Sequence, residues 1–189
     1  MSEQLNDVNV EKIKELDRMV RDNPALAKAT FKVKAKWQRG TKALIEMGSI
    51  HVPALGGDLF PRTRRFWILT DDPDVLGGVD GGPTAVETLL AALAGCVTSG
   101  IASNAAMFGV PIDSLDLELE ADADFRGLLG HDKSVRSGFS DIRYTVTIQS
   151  PAPEDKVRKC KETIDRKSPV RDTIANPVNI TSKFVYKPS

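Results

Sequence analysis

The sequence predicts an α+β fold, with antiparallel sheet packed on helices and one helix that is apolar on every side. Three observations carry this. Residues 81–111, "GGPTAVETLLAALAGCVTSGIASNAAMFGVP", hold no charge between Glu87 and Asp113. Further on, Leu115, Leu117, Leu119, Ala121, Ala123 and Phe125 alternate with Asp116, Glu118, Glu120, Asp122 and Asp124, the two-residue period of a half-buried strand. Before both, Val8, Val10, Ile13, Leu16, Met19 and Val20 recur at helical spacing.

Each element follows in chain order. Residues 8–21 read as an amphipathic helix broken by "RDNPALA". Phe31, Val33, Ala35 and Trp37 alternate with lysines and a glutamine, so a strand begins there. Gly40 permits a turn, "TKALIEM" returns as a hairpin partner, and "RRFWILT" (64–70) is a third strand. "DDPDVLGGVDGGP" is turn-rich loop. The uncharged helix follows and "GVP" (109–111) closes it. The acidic-faced strand, 115–125, is followed by another through Ile142, Tyr144, Val146 and Ile148. A helix over 153–166, a turn of helix after Pro169 and a last strand near 178–186 complete the chain.

Composition narrows the function classes. The 26 basic and 26 acidic residues cancel, which points away from nucleic acid and from anionic membrane as partners. The acidic, polar start is unlike a secretory signal. Two widely spaced cysteines make neither a disulfide scaffold nor a zinc site, and His51 and His131 lack ligand spacing. A cytoplasmic protein with free thiols, no metal and no cofactor is the expectation.

The uncharged helix is long enough to cross a membrane, but it is rich in alanine, glycine, serine and threonine and lacks flanking basic clusters. Buried within protein, it needs cover on all sides. Leu89, Leu93, Val97 and Ile101 form a ridge of large residues. Ala91, Gly95, Ser99 and Ser103 form a small-residue stripe that lets another helix approach closely. One sheet covers one side, so a second copy of the chain is the expected partner for the rest.

Cys96 lies in the row Ala92, Cys96, Gly100, Asn104. It is either an inert core thiol or a reactive one, and it sits too deep in the helix for the N-terminal dipole to activate it. Arg39 continues the apolar face of the first strand if that strand runs on, or turns to solvent if the strand stops at Gln38. Glu87 completes a Thr84-x-x-Glu87 capping box, and on a straight helix it faces away from Cys96. The glycines of "GGVDGGP" could cradle a phosphate, but no Lys-Ser/Thr follows, so a structural loop is expected.

"LGGVDGGPTAVETLLAALAGCV", "FRGLLGHDKSVRSGF" and "RKSPVRDTIANPVNI" together resemble the OsmC/Ohr family, from about Thr30 to Tyr186. The resemblance makes residues 1–29 an N-terminal helical extension and 30–189 an OsmC-like domain. It implies an intertwined homodimer with active sites at the subunit interface, and thiol-dependent reduction of organic hydroperoxides. Carried over, Cys96 is the attacking thiol, Arg39 its activating arginine and Glu87 the glutamate that orients Arg39. Glu87 stands one residue closer to the cysteine than in the organic-hydroperoxide branch. Where the two-cysteine pattern has Cys-Pro in the late turn, this chain has Ser168-Pro169, so the resolving cysteine is missing. Cys160 lines its own helix stripe with Val157 and Ile164 and reads as core.

Two functions follow from these readings. One is a single-cysteine peroxidase acting on a small hydrophobic peroxide, recycled by an external thiol in an oxidative stress response. The other is a non-catalytic protein binding a lipid-like or other small ligand.

Overall fold

The computed structural model describes residues 4–58 and 65–188. The chain divides into two compact units, Met1–Ala91 and Ala92–Ser189, and the division falls inside one long helix.

In the first unit, α1 (Val10–Asp22) starts where the Asn9 side chain accepts the Lys12 amide at 3.1 Å. Its apolar stripe buries no residue fully, and its outer face carries ion pairs of helical spacing such as Arg21–Asp17. β1 (Thr30–Trp37) runs antiparallel to β2 (Ala43–Val52), with Trp37 opposite Ala43. β3 (Gly57–Asp58) and β4 (Phe66–Thr70) also pair with β2, which is therefore the central strand. Arg64 of the expected third strand lies outside the described residues. β1 ends at Trp37, and a tight turn follows: the Lys42 amide donates to the Arg39 carbonyl, and the Trp37 indole N–H donates to the Gly40 carbonyl at 2.8 Å.

The loop after β4 is organised by a single carboxylate. Asp71, 2 % exposed, accepts from the Thr41 hydroxyl at 2.6 Å, the Gly81 amide at 2.9 Å and the Val79 amide at 3.3 Å. Two amides of "GGVDGGP" are thus already spent on the protein's own anion, as a structural loop requires.

α2 (Ala85–Met107) carries the uncharged stretch. Thr84 and Glu87 form the expected capping box: the Glu87 Oε2 atom accepts the Thr84 amide at 2.7 Å, and the Thr84 hydroxyl oxygen accepts the Glu87 amide at 3.2 Å. At the other end Gly109 adopts φ +69°, the left-handed conformation that glycine tolerates best. There the Val110 amide bonds to the Ala105 carbonyl and the Gly109 amide to Ala106, a Schellman termination that tucks Val110 into the core.

In the second unit β5 (Ser114–Asp122) pairs antiparallel with β6 (Asp141–Gln149), placing Leu115, Leu117 and Leu119 opposite Ile148, Val146 and Tyr144. The α2 ridge of Leu93, Val97 and Ile101 is buried against this apolar face. α2 is the one helix among the described residues long and apolar enough to cross a membrane, but that ridge is packed in a protein core. β5 stops earlier than its alternation suggests. Asp124 turns its carboxylate onto the Arg126 amide and caps α3 (Phe125–Leu128), so Phe125 opens a helix and stands exposed. α4 (Glu154–Lys167) and α5 (Pro169–Ala175) follow as expected.

The expected last strand is a correction. Residues 178–186 form no ladder among the described residues, and Ile180 and Phe184 are 89 % and 87 % exposed. An alternating pattern makes a segment competent for a sheet, but a strand also needs a neighbour that accepts its backbone hydrogen bonds.

Asp71 generates a pH prediction. Its hydrogen bond from Thr41, then that from the Gly81 amide, holds the carboxyl at about 2 against an ordinary 3.8. A value depressed by folding gives stabilisation that is complete above about pH 4 and is lost as the pH falls through about 2. Asp71→Asn should lower the urea midpoint at neutral pH, with the gap from wild type closing on acidification. A gap independent of pH would contradict the assignment.

Candidate active site

The site is built where α2 lies antiparallel to α4, and a single register explains it. Asn104 donates its side-chain amide to the Cys160 carbonyl at 3.1 Å. One turn earlier on α2, a Cβ added at Gly100 would meet Ile164 Cγ2 at 3.0 Å. One further turn brings Cys96 Sγ within 3.2 Å of the Ser168 hydroxyl. Each step of four residues back along α2 is thus matched by a step of four forward along α4 and its end. Glycine at position 100 permits the close approach in the middle of this ladder.

Ser168 ends α4 and begins α5 at once. Its amide donates to the Ile164 carbonyl at 2.8 Å, its carbonyl accepts the Asp172 amide, and its hydroxyl oxygen accepts the Arg171 amide at 3.3 Å. Pro169 occupies the first position of α5, where its missing N–H costs nothing. The corner is braced from the sheet: the Tyr144 hydroxyl donates to Asp165 at 2.7 Å, Lys161 donates to the same carboxylate at 2.6 Å, and the Arg171 guanidinium donates to the Asp165 carbonyl. Burial pushes the Asp165 carboxyl up, but Lys161 and Tyr144 outweigh it and hold it below its ordinary value. Burial, with Asp165 as acceptor, raises the Tyr144 phenol.

The two cysteines have different surroundings. Cys96 is half-buried and free. Cys160 is buried with Ala105 and Val110, and desolvation raises its thiol, the environment of an inert core cysteine. It sits opposite Asn104, about 12 Å from Cys96 along the α2 axis at 1.5 Å per residue. A disulfide needs Cα atoms within about 7 Å, so the fold holds the two thiols apart.

The other expected site residues lie in the first unit. Arg39 follows the end of β1 and is exposed in its turn. Glu87 is exposed in the capping box, and the Thr84 amide, then the Thr84 hydroxyl, lowers its carboxyl. Both of these bonds fall on Oε2. Sequence reasoning treats Ser168 as a missing cysteine and overlooks it as a hydrogen-bonding partner. The Ser-Pro pair, a helix-start signal, is the available clue.

A half-buried helix cysteine facing a Ser-Pro corner, on a mixed fold of helices and antiparallel sheet, defines the class. The OsmC-like protein family matches residues 78–183, more than half of the chain, and the chain belongs to that family. Among solved structures, an OsmC-like protein from Mycoplasma pneumoniae superposes with a TM-score of 0.58 at 15 % identity, covering 78 % of this chain and 89 % of its own. An OsmC-like protein of unknown function from Vibrio cholerae gives 0.53 at 14 %, covering 77 % and 94 %. An organic hydroperoxide resistance protein OsmC from Legionella pneumophila gives 0.51 at 16 %, covering 77 % and 88 %. These likenesses establish the fold. A search of curated proteins returned no match.

The register at Gly100 is directly testable. Gly100→Leu should overpack Ile164 and destabilise the protein by roughly 1–3 kcal/mol or more. Denaturant unfolding with an unchanged midpoint would show that the helices are not in close contact there.

Proposed function

We propose that this protein is a single-cysteine thiol peroxidase that reduces small hydrophobic organic hydroperoxides in an oxidative stress response. The observation that carries the reading is the 3.2 Å contact between Cys96 and Ser168, at the corner where the family resemblance puts a resolving cysteine. Cys96 thiolate attacks the distal peroxide oxygen. An S–O bond forms, the O–O bond breaks, and the departing alkoxide takes a proton to become the alcohol. The sulfur, two electrons poorer, is left as sulfenic acid. A small external thiol condenses with it and releases water. A second thiol then frees Cys96 as the disulfide of the reductant leaves. In this reading Arg39 stabilises the thiolate and the developing charge on oxygen. Glu87 orients Arg39 through Oε1, the oxygen not used in capping. The proposal places the protein in a reducing, cytoplasmic setting, where an external thiol is at hand.

The functional unit of this proposal is a homodimer. Its support is an uncharged α2 surface on which Ala91, Gly95 and Ser99 stand exposed, together with the exposed apolar side chains Phe31, Val33 and Trp37 of β1. A row of small residues suits a second copy of the same helix. Gly95 discriminates, because an added Cβ there meets nothing within 4 Å in the single chain. Gly95→Leu should leave monomer stability intact or improve it, since leucine favours helix over glycine, while weakening association in sedimentation. A wild-type mass of 20.6 kDa at micromolar concentration would refute the dimer.

Peroxide chemistry has its own test. One equivalent of an alkyl hydroperoxide should add one oxygen to the intact chain, trapped by dimedone at Cys96, with no Cys96–Cys160 disulfide. Excess peroxide should carry it to the sulfinic acid. Arg39→Met should slow the first oxidation. Ser168→Cys should instead lose two hydrogens as Cys96 forms a disulfide with the introduced thiol, and should resist overoxidation. A wild-type Cys96 untouched by peroxide would favour the ligand-binding function.

A further inference from the structure

We infer that the Ser168 hydroxyl is a hydrogen-bond donor to the Cys96 thiolate, so that the residue standing where the family resemblance puts a resolving cysteine is itself part of the reactive centre. The inference rests on Cys96 being the attacking group.

The hydrogen-bonding capacity of the two side chains sets the direction of the contact. A serine hydroxyl has one proton to donate and lone pairs to accept with. One lone pair of Ser168 is taken by the Arg171 amide at 3.3 Å, the N-cap bond of α5. A Cys96 thiolate has no proton of its own, so across the 3.2 Å contact the hydroxyl is the donor to Sγ. Ser168 is 3 % exposed, so water does not compete well for that proton. A hydrogen bond made to the charged form of an acid favours that form, and more strongly away from solvent.

The other donors of the corner have partners of their own, so within it the hydroxyl is the donor aimed at sulfur, acting alongside the Arg39 proposed above. Lys161 and the Tyr144 hydroxyl are committed to the Asp165 carboxylate, and the Arg171 guanidinium to the Asp165 carbonyl. The α2 dipole fades within its first turn, whereas Cys96 lies in the fourth turn of a helix that begins at Ala85. Ser168 itself cannot drift, because both helix ends hold its backbone. Its hydroxyl is a preorganised donor, which needs no rearrangement as the thiol ionises.

The test is the rate of Cys96 alkylation by iodoacetamide across pH, in the full-length protein with Cys160 replaced by alanine, for Ser168→Ala and Ser168→Thr. Threonine keeps both the cap and the donor, and alanine removes both. Ser168→Ala should alkylate about tenfold more slowly than its parent at neutral pH, the scale of a hydrogen bond to a charged group. It should equal or exceed the parent on the alkaline plateau, where the thiolate freed of its donor is the better nucleophile, and Ser168→Thr should restore the neutral rate. Loss of the cap alone would lower the melting temperature without changing the ratio of neutral to alkaline rates. A parent Cys96 that reacts faster than free cysteine at neutral pH, with Ser168→Ala giving the same pH profile, would overturn the inference and leave the peroxidase reading standing. A parent Cys96 no faster than free cysteine would remove the peroxidase reading and this inference with it. Should Ser168→Ala fail to fold, Ser168→Asn supplies the comparison. It caps α5 through its carbonyl oxygen and offers an N–H to sulfur, so retention of most of the neutral rate supports the donor role, and a rate as low as expected for alanine overturns it.

Discussion

The antiparallel register of α2 on α4 is the constraint that places Cys96 beside Ser168. Gly100 lets the helices approach until Ile164 touches the α2 backbone, and the Asn104 amide locks the phase by bonding the Cys160 carbonyl. With those two rungs set, the third follows: Ser168 has to fall beside Cys96. The contact at the sulfur is therefore set by helix packing one and two turns away. The apolar ridge of α2 against β5 and β6 supplies the burial that holds this arrangement closed.

A second organising element is independent of the first. In the first unit, Asp71 gathers the Thr41 hydroxyl and the amides of Val79 and Gly81. The β-turn carrying Arg39 is thereby tied to the loop that leads into Thr84 and the start of α2. A buried carboxylate satisfied by neutral donors can stay ionised without a counter-charge in its own loop, which fits a stretch with no lysine or arginine between Arg65 and Arg126.

Most elements are legible in the sequence because they are local. The alternation of β5, the stripe of α1, the Thr84–Glu87 box and the Ser-Pro start of α5 each declare themselves within a few residues. What the sequence hides is non-local or competitive. β5 reads too long because Asp124 keeps the alternation while its carboxylate captures the Arg126 amide and begins a helix. Residues 178–186 carry a strand pattern without a partner strand among the described residues. The Cys96–Ser168 contact spans 72 positions. Both four-residue rows, on α2 and on α4, are visible, but nothing in either row says which phase joins them. Cys160 is legible as core because its own stripe suffices.

In the function proposed above, Ser168 would serve two ends, the start of α5 and the chemistry of Cys96. Oxygen at this position accepts the Arg171 amide and starts α5, a service worth about 1 kcal/mol in typical helix caps. Sulfur is a weak acceptor, so a cysteine here would give up most of that anchoring in exchange for a thiol able to close a disulfide. The serine keeps the firmer helix start, and under the proposed peroxidase function the Cys96 sulfenic acid would have to be met by a thiol from solution. Under the function proposed above, resistance to unfolding and protection of the Cys96 sulfenic acid from overoxidation would compete for the same atom.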